Sequence, residues 1–137
     1  MVVSKKRWVV SPSRGKGAKV PDQLKQEMEQ KANELIESVL KPQHVQPPPE
    51  DAKFNYIVDI YTKWYRHYFY FCSLYRVPGA PDPDASFEEK FARLEHVGEG
   101  QFNLSYMRHT GQWFELARGI SLEQVLDRIA SGGNFYP

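Results

Sequence analysis

The sequence predicts an α+β domain, an antiparallel sheet of about five strands with an N-terminal and a C-terminal helix packed on it. Three observations predict it. Residues 22–41 and 121–131 carry apolar side chains at helical spacing. The chain between them is rich in aromatic and β-branched residues set in alternation, as strands require. The connections inside that stretch are too short for the crossovers that parallel strands need. A chain of 137 residues with 41% hydrophobic and 26% charged residues is one domain in size and buries roughly two-thirds of its unfolded surface. That composition excludes a disordered or fibrous chain. No stretch approaches the ~20 apolar residues of a membrane span, and charge follows Met1 too soon for a signal peptide. No membrane partner and a cytoplasmic address are therefore expected. The single cysteine, Cys72, excludes an internal disulfide framework and a multi-cysteine metal site.

Residues 1–21 hold Lys5, Lys6, Arg7, Arg14, Lys16 and Lys19 and no acid. The rest of the chain carries 12 basic against 17 acidic residues, so a +6 leader precedes a −5 body. Such a split points the leader toward an anionic partner. Ser11-Pro12-Ser13-Arg14-Gly15-Lys16-Gly17 has little to bury, and residues 1–21 read as a mobile basic leader in which Trp8, Val9 and Val10 offer apolar docking points. The folded domain is expected over 22–137.

The helix over 22–41 has Leu24, Met28, Leu35 and Val39 on one stripe with Ala32, Ile36 and Leu40 beside it. Pro42 is expected to stop it for want of an amide hydrogen, and residues 42–50, with three successive prolines, read as a stiff extended spacer. The sheet is expected over 53–118. Ten of the 22 residues from 54 to 75 are aromatic; period two places Phe54, Tyr56, Val58, Ile60 and Trp64 toward the core and Asn55, Asp59 and Lys63 away from it. The strand over 68–75 is apolar on both faces, so it is central or pairs with another subunit. Residues 77–86 form a Pro/Gly loop. Phe87, Phe91 and Leu94 allow a short helix next, but the alternation of Phe91, Arg93 and Glu95 with Ala92, Leu94 and His96 favours a third strand. Gly98-Glu99-Gly100 and His109-Thr110-Gly111-Gln112 are the remaining turns. Helix 121–131 starts on Ser121 as N-cap, with Glu123 in its first turn, and stops at Gly132-Gly133. The expected buried set is Tyr56, Val58, Ile60, Leu104, Trp113, Leu122, Val125 and Ile129.

This order, with Phe102-Asn103-Leu104-Ser105-Tyr106, Gln112-Trp113-Phe114-Glu115, residues 121–129 and the terminal Asn134-Phe135-Tyr136, resembles a small bacterial family of unknown function over residues 22–137. The resemblance implies the fold. It implies no activity, cofactor or catalytic residue.

Chemistry is sparse in the pattern. His44, His67, His96 and His109 lack metal-ligand spacing, so no metal site is assigned. His67 and His109 flank turns and would meet at one end of the sheet, with Asp59 or Glu115 near. A nucleophile, base and acid can be drawn from Cys72 or Ser105, His67 or His109, and Asp59, which makes Asp59, His67, Cys72 and His109 the candidate pocket. A buried inert thiol is the ordinary state of such a cysteine. Nucleotide and acyl-transfer motifs are absent; no cofactor or catalytic residue is assigned. Glu88 and Glu89 are adjacent on a strand and face opposite ways. Tyrosines interleaved with Lys63, Arg66 and Arg76 have the composition of a single-strand nucleic-acid binder, against which the −5 body argues; filling of the face between sheet and helices is the favoured use of the aromatics. Arg14-Gly15-Lys16 resembles the Arg-Gly-Arg core of minor-groove hooks, with Gly17 where such hooks carry proline. The expectation is a non-enzymatic binding or assembly domain that forms a homodimer. The alternatives are weak nucleic-acid binding through Lys5, Lys6, Arg7, Arg14, Lys16 and Lys19, or a small enzyme near His67 and His109.

Overall fold

The structure, a computed structural model, describes residues 19–48 and 50–137. Most of the basic leader, including Trp8, Val9, Val10, Lys5, Lys6, Arg7, Arg14 and Lys16, lies outside the described residues. The described chain begins at exposed Lys19, and Val20 is already in the core.

The N-terminal helix runs unbroken through α1 (Asp22–Leu35), a π turn (Ile36–Leu40) and α2 (Lys41–His44). Met28, Ala32, Ile36 and Leu40 recur every four residues and are all buried, which is why this face seats on the sheet. Pro42 does not end the helix as the sequence predicts. The Lys41 N–H reaches back five residues to the Ile36 carbonyl, and the wider π turn just before Pro42 accommodates a proline that a regular α-helical interior would not. The extended segment therefore begins only at Val45, with φ −97° and ψ 100°.

Five strands follow: β1 (Tyr56–Tyr65), β2 (Tyr68–Arg76), β3 (Ser86–Gly98), β4 (Gln101–Met107) and β5 (Trp113–Ser121). They form one antiparallel meander in the order β1-β2-β3-β4-β5. Arg66 and His67 make a two-residue turn with Arg66 at φ 57°. Between β3 and β4, Glu99 and Gly100 take φ 55° and 70°, the left-handed pair that matches strand twist in tight hairpins.

Two bulges change which side chains face the helices. In β1 the register shifts between Ile57 and Asp59, so Val58 is the unpaired residue and the alternation resets across it. The core side of β1 is consequently Ile57, Ile60 and Trp64. Tyr56 and Val58 are only half-buried, and Phe54 precedes the strand and is exposed. In β3 the register shifts opposite Phe71 and Cys72, leaving Phe91 as the extra residue. Phe69, Phe71, Leu94, Phe102 and Leu104 fill the centre. Trp113 is half-buried, its ring 5.7 Å from that of Tyr70, on the face away from the helices. The buried set thus keeps Ile60, Leu104, Leu122, Val125 and Ile129 and loses Tyr56, Val58 and Trp113.

Helix α3 (Leu122–Ala130) opens with a capping box. The Ser121 hydroxyl accepts from the Gln124 N–H at 3.1 Å, and the Gln124 side chain accepts from the Ser121 N–H at 2.9 Å. It buries Leu122, Val125 and Ile129, and the Lys31–Glu123 ion pair at 2.9 Å ties it to α1. The chain then folds back. Phe135 enters the core, and the Tyr75 hydroxyl donates to the Pro137 carbonyl at 2.7 Å.

Phe102→Ala, at a fully buried ring, should cost ~3–5 kcal/mol in a urea titration. Trp113→Ala should cost clearly less, since that ring lies outside the helix-side core; equal losses would contradict the register.

Candidate functional site

Both helices pack on one face of the sheet, and among the described residues no helix covers the other. Strand alternation decides what that second face carries. Tyr61 lies opposite Cys72, Tyr70 opposite Arg93, and Ser105 opposite Glu115. Over the small Cys72 and Ser105, rings and long charged side chains pack on one another. The Arg93 guanidinium sits between two rings, 4.5 Å from the centroid of Tyr68 and 4.9 Å from that of Trp113. Lys90 stands 5.6 Å over Tyr70. Each such contact contributes about 0.5–1 kcal/mol where exposed and more where water is excluded. The stems cover what lies beneath: Tyr70 is 7% exposed and Cys72 is fully buried.

Glu88 is the charged hub of this face. It accepts from the Tyr61 hydroxyl and pairs with Lys63 at 3.1 Å and Lys90 at 3.2 Å. The Tyr61 hydrogen bond, followed by the two ammonium groups, holds the Glu88 carboxyl down at about 2. Burial, followed by the Glu88 charge, pushes the Tyr61 hydroxyl well above the usual phenol range. Cys72 is pushed up to about 11, first by burial and then by Glu88. At neutral pH it is a protonated thiol under a lid of side chains, without the thiolate character that nucleophilic chemistry needs.

The expected pocket of Asp59, His67, Cys72 and His109 does not form. In a five-strand meander the turns alternate between ends, so His67, in the β1–β2 turn, and His109, in the β4–β5 turn, stand at opposite ends of the sheet. Five residues separate His67 from Cys72, roughly 17 Å along a strand. Asp59 is drawn to the helix side by Lys41 at 3.2 Å. His67 instead neighbours Glu95, Nε2 to Oε2 3.7 Å, and lies 4.2 Å from the Tyr68 ring. His109 is exposed. His44 contacts Tyr136, and His96 is buried with its Nε2 accepting from the Gly100 N–H at 3.3 Å. Among the described residues no three His, Cys, Asp or Glu side chains converge as a metal site, and no helix is long and apolar enough to cross a membrane.

The expectation that the sheet's aromatics fill the space under the helices holds for Phe69 and Phe71 but not for Tyr68, Tyr70 and Trp113. Sequence reasoning missed Glu88, Lys90 and Arg93 as partners of those rings. Part of the signal was present after Phe91, where Arg93 and Glu95 alternate with Ala92 and Leu94; before it Glu88, Glu89 and Lys90 run consecutively, and the bulge hid the face that Glu88 and Lys90 share with Arg93.

The chain belongs to the family described as a domain of unknown function, DUF3024, whose sequence pattern matches residues 20–137. No curated protein and no solved structure matches the chain.

Glu88 gives the face a pH signature. Its carboxyl lies below the ordinary 4.5, at about 2, so the stability it contributes is fully present above 4.5 and is lost as pH falls toward 2. Urea titrations should show the destabilisation of Glu88→Gln shrinking over that window. A difference that stays constant from pH 6 to pH 2, on the scale of those values, would refute the clamp.

Proposed function

We propose that this chain is a non-catalytic assembly domain that pairs with a second copy of itself through the helix-free face of the sheet. The observation that carries the reading is the Tyr68–Arg93–Trp113 stack with Tyr70 beside it. Tyrosine, tryptophan and arginine are the residues that dominate the energetics of protein interfaces, and here they form one contiguous patch with no described helix over it.

Size and charge favour a second copy as the occupant. Strands of nine residues at ~3.4 Å per residue, five of them ~4.8 Å apart, make a plate of roughly 24 by 30 Å, about 700 Å² before side-chain relief. A standard interface buries ~800 Å² per partner. The face holds both signs, Lys63, Lys90 and Arg93 among Glu88, Glu95 and Glu115, so a two-fold copy can set cations against carboxylates. A polyanion would meet the acids as well.

Light scattering over micromolar concentrations should report a dimer, and Arg93→Glu should weaken it by tenfold or more, about the effect of losing an interface anchor, with circular dichroism unchanged. A monomeric mass over the whole range, or a dimer indifferent to Arg93→Glu, refutes the reading.

A second reading rests on the charge split of the sequence. Six cations without an acid precede a −5 body, which favours weak, sequence-independent nucleic-acid contact through Lys5, Lys6, Arg7, Arg14, Lys16 and Lys19. With all six engaged, log affinity should fall with log salt at a slope of about −5. Deleting residues 1–19 should abolish binding; retention of the slope after deletion would remove the leader from the contact.

A further inference from the structure

The face that the helices cover is not covered completely. Helices α1 and α2 lie over β1, and α3 lies over β4 and β5. The first half of β3 and the end of β2 are left to residues 135–137. The bulge at Phe91 bends β3 just there, because an extra residue on one strand increases local twist. The result is a cleft of about 260 Å³ lined by Tyr75, Phe87, Phe91, Met107, Tyr136 and Glu89. This volume falls just below the ~300–1,000 Å³ that takes drug-sized ligands, so it suits a single compact group.

The lining is largely aromatic, with one acid. The rings of Tyr75 and Phe87 stack in parallel at 5.2 Å with an interplanar angle of 5°, and both border the cleft. Tyr136, 75% exposed and set edge-on to His44 at 5.9 Å, belongs to the opposite arm of the chain. Phe91 is 4% exposed. The Glu89 charge acts on the Tyr75 hydroxyl, reinforcing the upward shift that burial gives it. Lys90 also borders the cleft, but its ammonium is held on the other face by Glu88 at 3.2 Å and by the Tyr70 ring. Glu89 is therefore the charged head group left to the cleft, and no described ion pair engages it.

We propose that this cleft binds a small organic cation of the quaternary ammonium class. Ring faces attract a cation through their quadrupoles, most strongly where several rings surround it and water is displaced. A carboxylate beside the rings adds direct charge complementarity. Methylation is favoured by the aromatic part of the lining, Tyr75, Phe87, Phe91 and Tyr136: a primary ammonium brings three N–H donors that need partners when water is displaced, and a ring face supplies none of the strength of an oxygen acceptor. Methyl groups need no acceptor and pack well on aromatic surface. The site is separate from the helix-free face and does not rest on dimer formation.

Choline and its neutral isostere 3,3-dimethylbutan-1-ol, which differ by nitrogen in place of carbon, test the inference when titrated into the full chain by NMR. Saturable choline binding with shifts at Tyr75, Phe87 and Tyr136 is expected, at least ~tenfold tighter than the alcohol. Glu89→Gln, a change at an exposed residue, should bring choline affinity down toward that of the alcohol and leave the alcohol unaffected. Phe87→Ala should weaken choline as well, with circular dichroism verifying the fold of both variants. Phosphatidylcholine vesicles separate the two sources of the group: a lipid headgroup sediments the protein in a choline-displaceable way, and a free solute leaves it in the supernatant. Equal affinity for choline and the alcohol, no saturation at tens of millimolar choline, or choline binding indifferent to Glu89→Gln overturns the proposal.

Discussion

Every strand of this sheet has to satisfy two environments at once, because its side chains alternate in direction and both helices lie on the same side. One set of side chains is sealed under helices and is apolar: Phe69, Phe71, Leu94, Phe102 and Leu104. The other set meets water over a sheet whose middle strands are too wide for any one side chain to shield. Simple polar residues there would leave the ladder hydrogen bonds beneath them wet, and simple apolar ones would expose a sticky plate. Rings bridged by arginine and lysine resolve the conflict. Their stems and faces exclude water from Cys72 and Tyr70, while their charges stay at the surface.

The two bulges follow from the same constraint. A helix pair packed on a twisted sheet cannot keep every second residue of a long strand in the core. Val58 and Phe91 mark the places where one residue is passed over. In β1 this moves Ile57 rather than Val58 to the helix side and leaves Asp59 within reach of Lys41. In β3 it leaves Ala92 and Leu94 in the core below the bulge while Phe87 and Glu89 line the cleft above it. The bulges thus fix which residues each face presents, as well as the curvature of the sheet.

Fold class was legible because its signals are local and redundant. The helical spacing of apolar residues from Leu24 to Leu40, the Ser121 cap and the short turns at Gly98-Glu99-Gly100 and at His109 each depend on residues close in sequence, although the centre of the helix face is Met28, Ala32, Ile36 and Leu40, with Leu24, Leu35 and Val39 at its margin. The course of the helix past Pro42 was not legible, since it depends on a π turn that no residue type announces. Nor were the faces, because a one-residue bulge inverts the parity of everything on one side of it; Tyr56, Val58 and Trp113 were misassigned for this reason or its equivalent on β5, where the register shifts twice along its pairing with β4. The pairing of His67 with His109 failed on topology alone. Turn residues look alike in sequence, and only the parity of the strands between them says which end of the sheet they share.

Glu88, Glu89 and Lys90 show how much a single strand can carry once its register is known. Glu88 joins Tyr61 and Lys63 on the helix-free face, Glu89 turns into the cleft, and the Lys90 ammonium returns to Glu88. Three consecutive residues therefore supply two surfaces of opposite character, one with its carboxylate saturated by two ammonium groups and one with a carboxylate that no described ion pair engages. A saturated carboxylate contributes to packing and has little charge left for a ligand; an unpaired one beside aromatic rings retains its full attraction for a cation. Because the sheet backbone separates the two, substitution at Glu89 leaves the Glu88 clamp in place, and the two faces can be tested independently in the same folded chain.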